Sequence, residues 1–139
     1  MTFEYQSKIY LGEVALYVAD LARQRDFYQL VLGLDLLEEQ DGQVALGRDG
    51  QVLVRLLATS DWQLVKSAYG LYHLALSLPN RQALADILKH LSENKVPMVG
   101  GADHGYSEAI YLEDPEGNGI ELYRDKPQAD WDIREDGRI

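Results

Sequence analysis

Three side chains able to bind a metal ion interrupt otherwise aliphatic runs in this sequence. They are Glu13 in Glu13-Val-Ala-Leu-Tyr-Val18, His73 in His73-Leu-Ala-Leu-Ser-Leu78 and Glu121 in Gly119-Ile-Glu-Leu-Tyr123. A neutral imidazole and two carboxylates can converge on Mn²⁺, Fe²⁺, Zn²⁺ or Ni²⁺. Carboxylates taken out of water need a compensating cation, and a metal ion supplies one. No two of these residues are close in sequence, so the fold has to bring them together.

Strand geometry offers a way. Successive side chains on a strand point to opposite faces. Val14, Leu16 and Val18 therefore share one face and Glu13, Ala15 and Tyr17 the other. Leu74, Leu76 and Leu78 oppose His73, Ala75 and Ser77; Ile110 and Leu112 oppose Ala109, Tyr111 and Glu113; Ile120 and Leu122 oppose Gly119, Glu121 and Tyr123. In each run one face is aliphatic and suited to pack on helices. The other is small or polar and is left to line a cleft. This reading places Glu13, His73 and Glu121 on the inner surface with Tyr111 nearby. Taken singly, each has a plainer alternative: His73 as a core histidine, Glu121 as a strand-end charge, Glu13 as a partner of Arg55, Tyr111 as a packing aromatic.

The elements that would carry these residues are legible. Alternation predicts a strand over 8–18. Asp20 is placed to cap a helix that starts at Leu21 and ends near Gly33. Strands follow over 34–40, 43–46 and 51–58, separated by turns at Asp41-Gly42 and Arg48-Asp49-Gly50. A connector spans 59–70, where Trp62 to Ala68 could add a helical turn or two. The pattern then restarts with a strand over 71–78. Pro79-Asn80 opens a helix with Leu84, Ile87, Leu88 and Leu91 on one face. Strands over 96–99, 108–113 and 119–123 follow, the last two joined by the turn Asp114-Pro-Glu-Gly117. Glu13-Val-Ala-Leu-Tyr-Val18 also matches His73-Leu-Ala-Leu-Ser-Leu78 at an offset of 60 residues, which reads as an internal duplication. The predicted fold is α+β: two paired βαβββ modules, 1–66 and 67–126, forming a curved mixed sheet with helices outside and a central cleft. Residues 127–139 read as a tail or as the start of a second half.

Composition narrows the function. The net charge of −10 repels phosphate backbones and anionic lipid, so neither nucleic acid nor a membrane is an expected partner. There are no cysteines, which removes disulfides, thiolate ligands and cysteine nucleophiles. No apolar run approaches bilayer length and the first residues are polar, so the expected setting is cytoplasmic.

Four segments carry a resemblance: Gly12-Glu-Val-Ala-Leu-Tyr-Val-Ala-Asp-Leu21, Phe27-Tyr-Gln-Leu-Val-Leu-Gly-Leu34, Tyr72-His-Leu-Ala-Leu76 and Asp114-Pro-Glu-Gly-Asn-Gly-Ile-Glu-Leu-Tyr123. Together they resemble the vicinal oxygen chelate superfamily of glyoxalase I, bleomycin and fosfomycin resistance proteins and type I extradiol dioxygenases. The stretch Asp103-His-Gly-Tyr-Ser-Glu-Ala-Ile-Tyr111 is most similar to the N-terminal half of catechol 2,3-dioxygenase-like proteins. The resemblance implies metal ligands at Glu13, His73 and Glu121, with Fe²⁺ or Mn²⁺ ahead of Zn²⁺ or Ni²⁺. It also implies a substrate-protonating role for Tyr111, four residues before Pro115, and an active-site role for His104. The first ligand position usually holds histidine, so Glu13 is a departure. Glyoxalase I adds a glutamate in the last strand of its first unit, where Val52-Leu-Val-Arg-Leu56 has no carboxylate.

The expected function is thus that of a metal-dependent, extradiol-dioxygenase-like oxidoreductase acting on a small substrate with vicinal oxygens. One alternative is a non-catalytic binding protein of the bleomycin-resistance kind, with Tyr17, Tyr111 and Tyr123 stacking on a flat ligand. The other is a lactoylglutathione lyase-like isomerase. A homodimer is the expected assembly if the two units do not close on each other.

Overall fold

Alternating apolar residues leave one face of each strand requiring cover, and the two helices supply it. The structure, a computed structural model, describes residues 12–60 and 70–137. The first half contains β1 (Val14–Val18), α1 (Leu21–Asp26), β2 (Asp35–Gln40), β3 (Gln43–Arg48) and β4 (Gln51–Ala58). The second contains β5 (Leu74–Ser77), α2 (Arg81–Glu93), β6 (Met98–Asp103), β7 (Ser107–Glu113) and β8 (Gly119–Asp125). The chain is therefore α+β with two βαβββ units, as the pattern predicted. Each unit forms its own four-stranded mixed sheet, in the orders β1-β4-β3-β2 and β5-β8-β7-β6. The pairs β1/β4 and β5/β8 are parallel and the rest antiparallel. Residues 8–11 of the strand predicted over 8–18, the helical turn within 62–68 and the module boundary at 66/67 lie outside the described residues.

Local chemistry explains the helix starts. Asp20 and Asn80 accept hydrogen bonds from the N–H groups of Arg23 (3.0 Å) and Ala83 (2.9 Å), as helix N-caps do. The end of the first helix departs from expectation. Regular α-helix stops at Asp26, and Phe27–Val31 forms a wider π turn closed by Leu32 N–H on Phe27 C=O at 3.1 Å. Gln24, Tyr28 and Leu32 are all buried and lie four apart. In an α-helix residues four apart drift by about 40° around the axis. A wider turn keeps them on one face.

The aliphatic faces meet in one core cluster drawn from both halves. Val18, Tyr28, Leu46, Val54 and Leu56 pack with Leu74, Leu91, Leu112, Ile120 and Leu122. Polar contacts also join the halves at the Asp114 turn. Tyr28 Oη donates to Asp114 Oδ2 at 3.2 Å. Ala19 N–H donates to both Glu116 carboxylate oxygens at 3.0 Å, and Asp20 N–H to Oε1 at 2.8 Å. Glu116 thereby anchors the second half to the start of α1. Among the described residues no helix is long and apolar enough to cross a membrane.

Candidate functional site

In the second half, β-sheet register sets Ala75, Glu121 and Tyr111 side by side on β5, β8 and β7. His73 lies just before β5. Its backbone comes close to β8 because residue 119 is glycine: a Cβ there would fall 2.6 Å from Tyr72 O and 3.3 Å from His73 Cβ. His73 Nε2 is thereby held 2.8 Å from Glu121 Oε2. Tyr111 Oη donates to Glu121 Oε1 at 2.9 Å, and His104 Nε2 lies 2.8 Å from Tyr111 Oη.

Proton counting orients this chain. A tyrosine hydroxyl has one proton, and Tyr111 gives it to Glu121. His104 Nε2 must then carry the proton it donates to Tyr111 Oη. His73 Nε2–H likewise donates to the other oxygen of an ionised Glu121. Partial burial, then the hydrogen bond to Glu121, hold the Tyr111 hydroxyl above the ordinary tyrosine range, so it stays a proton donor at neutral pH. His104 is set in its loop by Asp103, which accepts from Gly105 N–H at 2.9 Å and pairs with Lys126 at 2.6 Å. The tail packs on the same loop: Trp131 stands edge-on to Tyr106, with ring centroids 6.3 Å apart. A cavity of about 330 Å³ opens over the chain, lined by Ala75, His104, Tyr106, Tyr111, Glu121 and Tyr123 among others.

The first half repeats this register with different side chains. Ala15 pairs with Arg55 as Ala75 pairs with Glu121, and Ala45 takes the place of Tyr111. Glu13, which matches His73 in the duplication, receives Arg55 Nε on Oε1 (2.7 Å) and Arg55 Nη2 on Oε2 (3.0 Å). Arg55 Nη1 donates to Glu38 Oε2 at 3.1 Å. The side chain can reach β2 because Ala45, the residue between them, is small. The bidentate bond from Arg55 holds the Glu13 carboxyl below the usual carboxylate range.

The structure thus brings His73, Glu121, Tyr111 and His104 together and places Glu13 in a separate ion pair. Among the described residues no group of three His, Cys, Asp or Glu side chains is disposed to hold a metal ion. The His73–Glu121 pair itself fits a divalent ion. An imidazole nitrogen and a carboxylate oxygen are donor types that a divalent ion takes, so His73 and Glu121 would be the residues to hold one, in exchange for the proton they share. The sequence reading weighed the Arg55 pairing but missed its equivalence to Glu121. The signal was present in Val54-Arg-Leu56 and Ile120-Glu-Leu122, two matching aliphatic–charged–aliphatic triplets.

Comparison with known proteins is consistent with this geometry. Residues 10–122 match the family profile described as Glyoxalase/Bleomycin resistance protein/Dioxygenase superfamily. The chain is 37% identical over 131 residues to a catechol-2,3-dioxygenase of Bacillus subtilis (strain 168), covering 92% of this chain and 46% of that protein. It therefore spans about half the length of that relative. It is 32% identical over 123 residues to a lactoylglutathione lyase of Escherichia coli O157:H7, covering 80% of this chain and 89% of that one. Among solved structures, a glyoxalase/dioxygenase from Nostoc punctiforme superimposes with a TM-score of 0.72 at 21% identity, covering 91% of this chain and all of the other.

Proposed function

Because the chain belongs to the glyoxalase/bleomycin resistance protein/dioxygenase superfamily, we propose that it is a metal-dependent oxidoreductase of the extradiol catechol dioxygenase kind, acting on a small substrate with two adjacent oxygens. The observation that carries this reading is the continuous chain His104–Tyr111–Glu121–His73, whose first three members line the cavity. His73 and Glu121 would hold the ion. A divalent ion there supplies Lewis-acid polarisation of the substrate oxygens, and iron adds redox chemistry with dioxygen.

The protein's own residues do the rest. Tyr106 and Tyr123 offer aromatic walls to a flat ring. A substrate oxygen beside Tyr111 competes with Glu121 for the hydroxyl proton. His104 Nε2–H, already donating to that hydroxyl, stabilises the phenolate left by proton transfer.

The test is anaerobic loading with Fe²⁺, followed by catechol and oxygen. Ring-cleavage absorbance is expected, reduced about 100-fold or more in Glu121→Gln, through the lost ligand. Iron-bound protein that leaves catechol intact removes the dioxygenase reading. Protein that takes up no metal and whose fold ignores EDTA points instead to a non-catalytic binding protein.

A lactoylglutathione lyase-like activity is the second reading, favoured by near full-length coverage of the Escherichia coli O157:H7 relative. Arg55 argues against it, since it stands where the resemblance implies a further carboxylate. Turnover of the methylglyoxal–glutathione adduct decides between the two.

A further inference from the structure

Two rows of residues lie side by side on the cleft face of the second sheet, Tyr111-Ala109-Ser107 on β7 and Glu121-Tyr123-Asp125 on β8. At a rise of about 3.4 Å per residue, the row from Glu121 to Asp125 is about 13–14 Å long. The cavity of about 330 Å³ is lined by both of its ends. Among the described residues Glu121 and Asp125 are the carboxylates of that lining, and no lysine or arginine belongs to it. The cations next to Asp125 in sequence are committed elsewhere, Arg124 to Glu108 at 2.8 Å and Lys126 to Asp103 at 2.6 Å. Arg124 Nη1 reaches only the backbone oxygen of Asp125, at 3.4 Å. Among the described residues no hydrogen bond or ion pair engages the Asp125 carboxylate.

We propose that Asp125 is a specificity determinant of this cavity and selects catechols whose side chain carries a positively charged amine. A catechol with its oxygens at Tyr111 and Glu121 extends its ring along the row, between the tyrosines at 106 and 123. A two-carbon arm then brings an ammonium group to Asp125. The ring, the arm and a hydrogen bond at each end together match the length of the row. Asp125 accepts a charge-assisted hydrogen bond there, and tyrosine rings attract a cation to their faces. An arm that ends in a carboxylate meets Asp125 as a like charge, with no cation in the described lining to offset it. The net charge of −10 opposes the approach of such an anion as well.

The inference rests on the catechol reading of this cavity, and one experiment separates the two. Three probes of matched length are titrated into the protein by calorimetry without oxygen, with and without Fe²⁺: dopamine, 4-ethylcatechol and 3-(3,4-dihydroxyphenyl)propanoate. The wild type is expected to prefer dopamine to 4-ethylcatechol by about threefold to tenfold, the scale of a partly exposed charge-assisted contact, and to bind the propanoate most weakly. Asp125→Asn is expected to bring dopamine and 4-ethylcatechol to the same affinity. Asp125→Lys should reverse the order and favour the propanoate. Binding of 4-ethylcatechol shows that each variant is folded. A dopamine preference that persists in Asp125→Asn overturns the role given to Asp125. Equal affinity of the wild type for all three probes overturns the inference while leaving the catechol reading standing. Absence of binding by every probe, in both metal states, overturns both. Iron-bound protein that keeps the preference but cleaves none of the probes on admission of oxygen overturns the dioxygenase reading and leaves the selectivity of Asp125 in place.

Discussion

The two halves of this chain hold the same backbone row in the same register and fill it with opposite chemistry. On one side a carboxylate, Glu121, lies between two donors, His73 and Tyr111. On the other a guanidinium, Arg55, lies between two carboxylates, Glu13 and Glu38. Both rows sit on the face away from the aliphatic core, and both are entered by a residue just before a parallel strand. The backbone of the unit therefore sets where polar side chains converge, and one residue per half decides what they can bind. A negative centre flanked by proton donors suits a cation or a protonating step. A positive centre flanked by carboxylates is already neutralised, and its partners are occupied.

Substitutions can break or sharpen this contrast. The largest effect is expected at Tyr111, whose first-half counterpart is Ala45. Tyr111→Phe keeps the ring and removes the proton, so kcat should fall by about 10²–10³ while KM changes little. Steady-state kinetics check this, and an unchanged kcat would reduce Tyr111 to a wall of the cavity.

Next comes the close approach at Gly119, a place held by Leu53 in the register of the first half. A methyl group there meets Tyr72 O at 2.6 Å. Gly119→Ala should cost about 1–3 kcal/mol, as forced overpacking does, and should move His73 off Glu121. Denaturant unfolding measures the first effect and the histidine proton resonances the second.

The smallest effect concerns the joint between the halves. Tyr28→Phe removes one buried hydrogen bond to Asp114, at about 1 kcal/mol. It also alters the alkaline limb of stability. Burial, then the Asp114 charge, holds the Tyr28 hydroxyl well above the ordinary tyrosine range. Its contribution is intact below the pH at which the unfolded tyrosine ionises, and is lost as pH rises beyond that point. Melting temperature between pH 8 and 11 should fall more steeply in the wild type than in Tyr28→Phe.

Much of this was legible beforehand because it depends on local rules. Alternation located most strands to within a few residues, and Asp20 and Asn80 marked the helix starts. The match of Glu13-Val-Ala-Leu to His73-Leu-Ala-Leu exposed the duplication. Other features had no local signal. The π turn at Phe27–Val31 answers to the packing of Gln24, Tyr28 and Leu32, and the grip of Glu116 on α1 needs two segments far apart in the chain.

The amino-acid order by itself determined the α+β pattern, the repeat, and the face on which each candidate side chain emerges, since pleating and helical periodicity act over a few residues. Only the tertiary structure decided which neighbour each charge meets. That depends on how β1 registers on β4 and β5 on β8, pairings between strands separated by long stretches of chain. Register delivered a guanidinium to Glu13, and to Glu121 it delivered a tyrosine and a histidine.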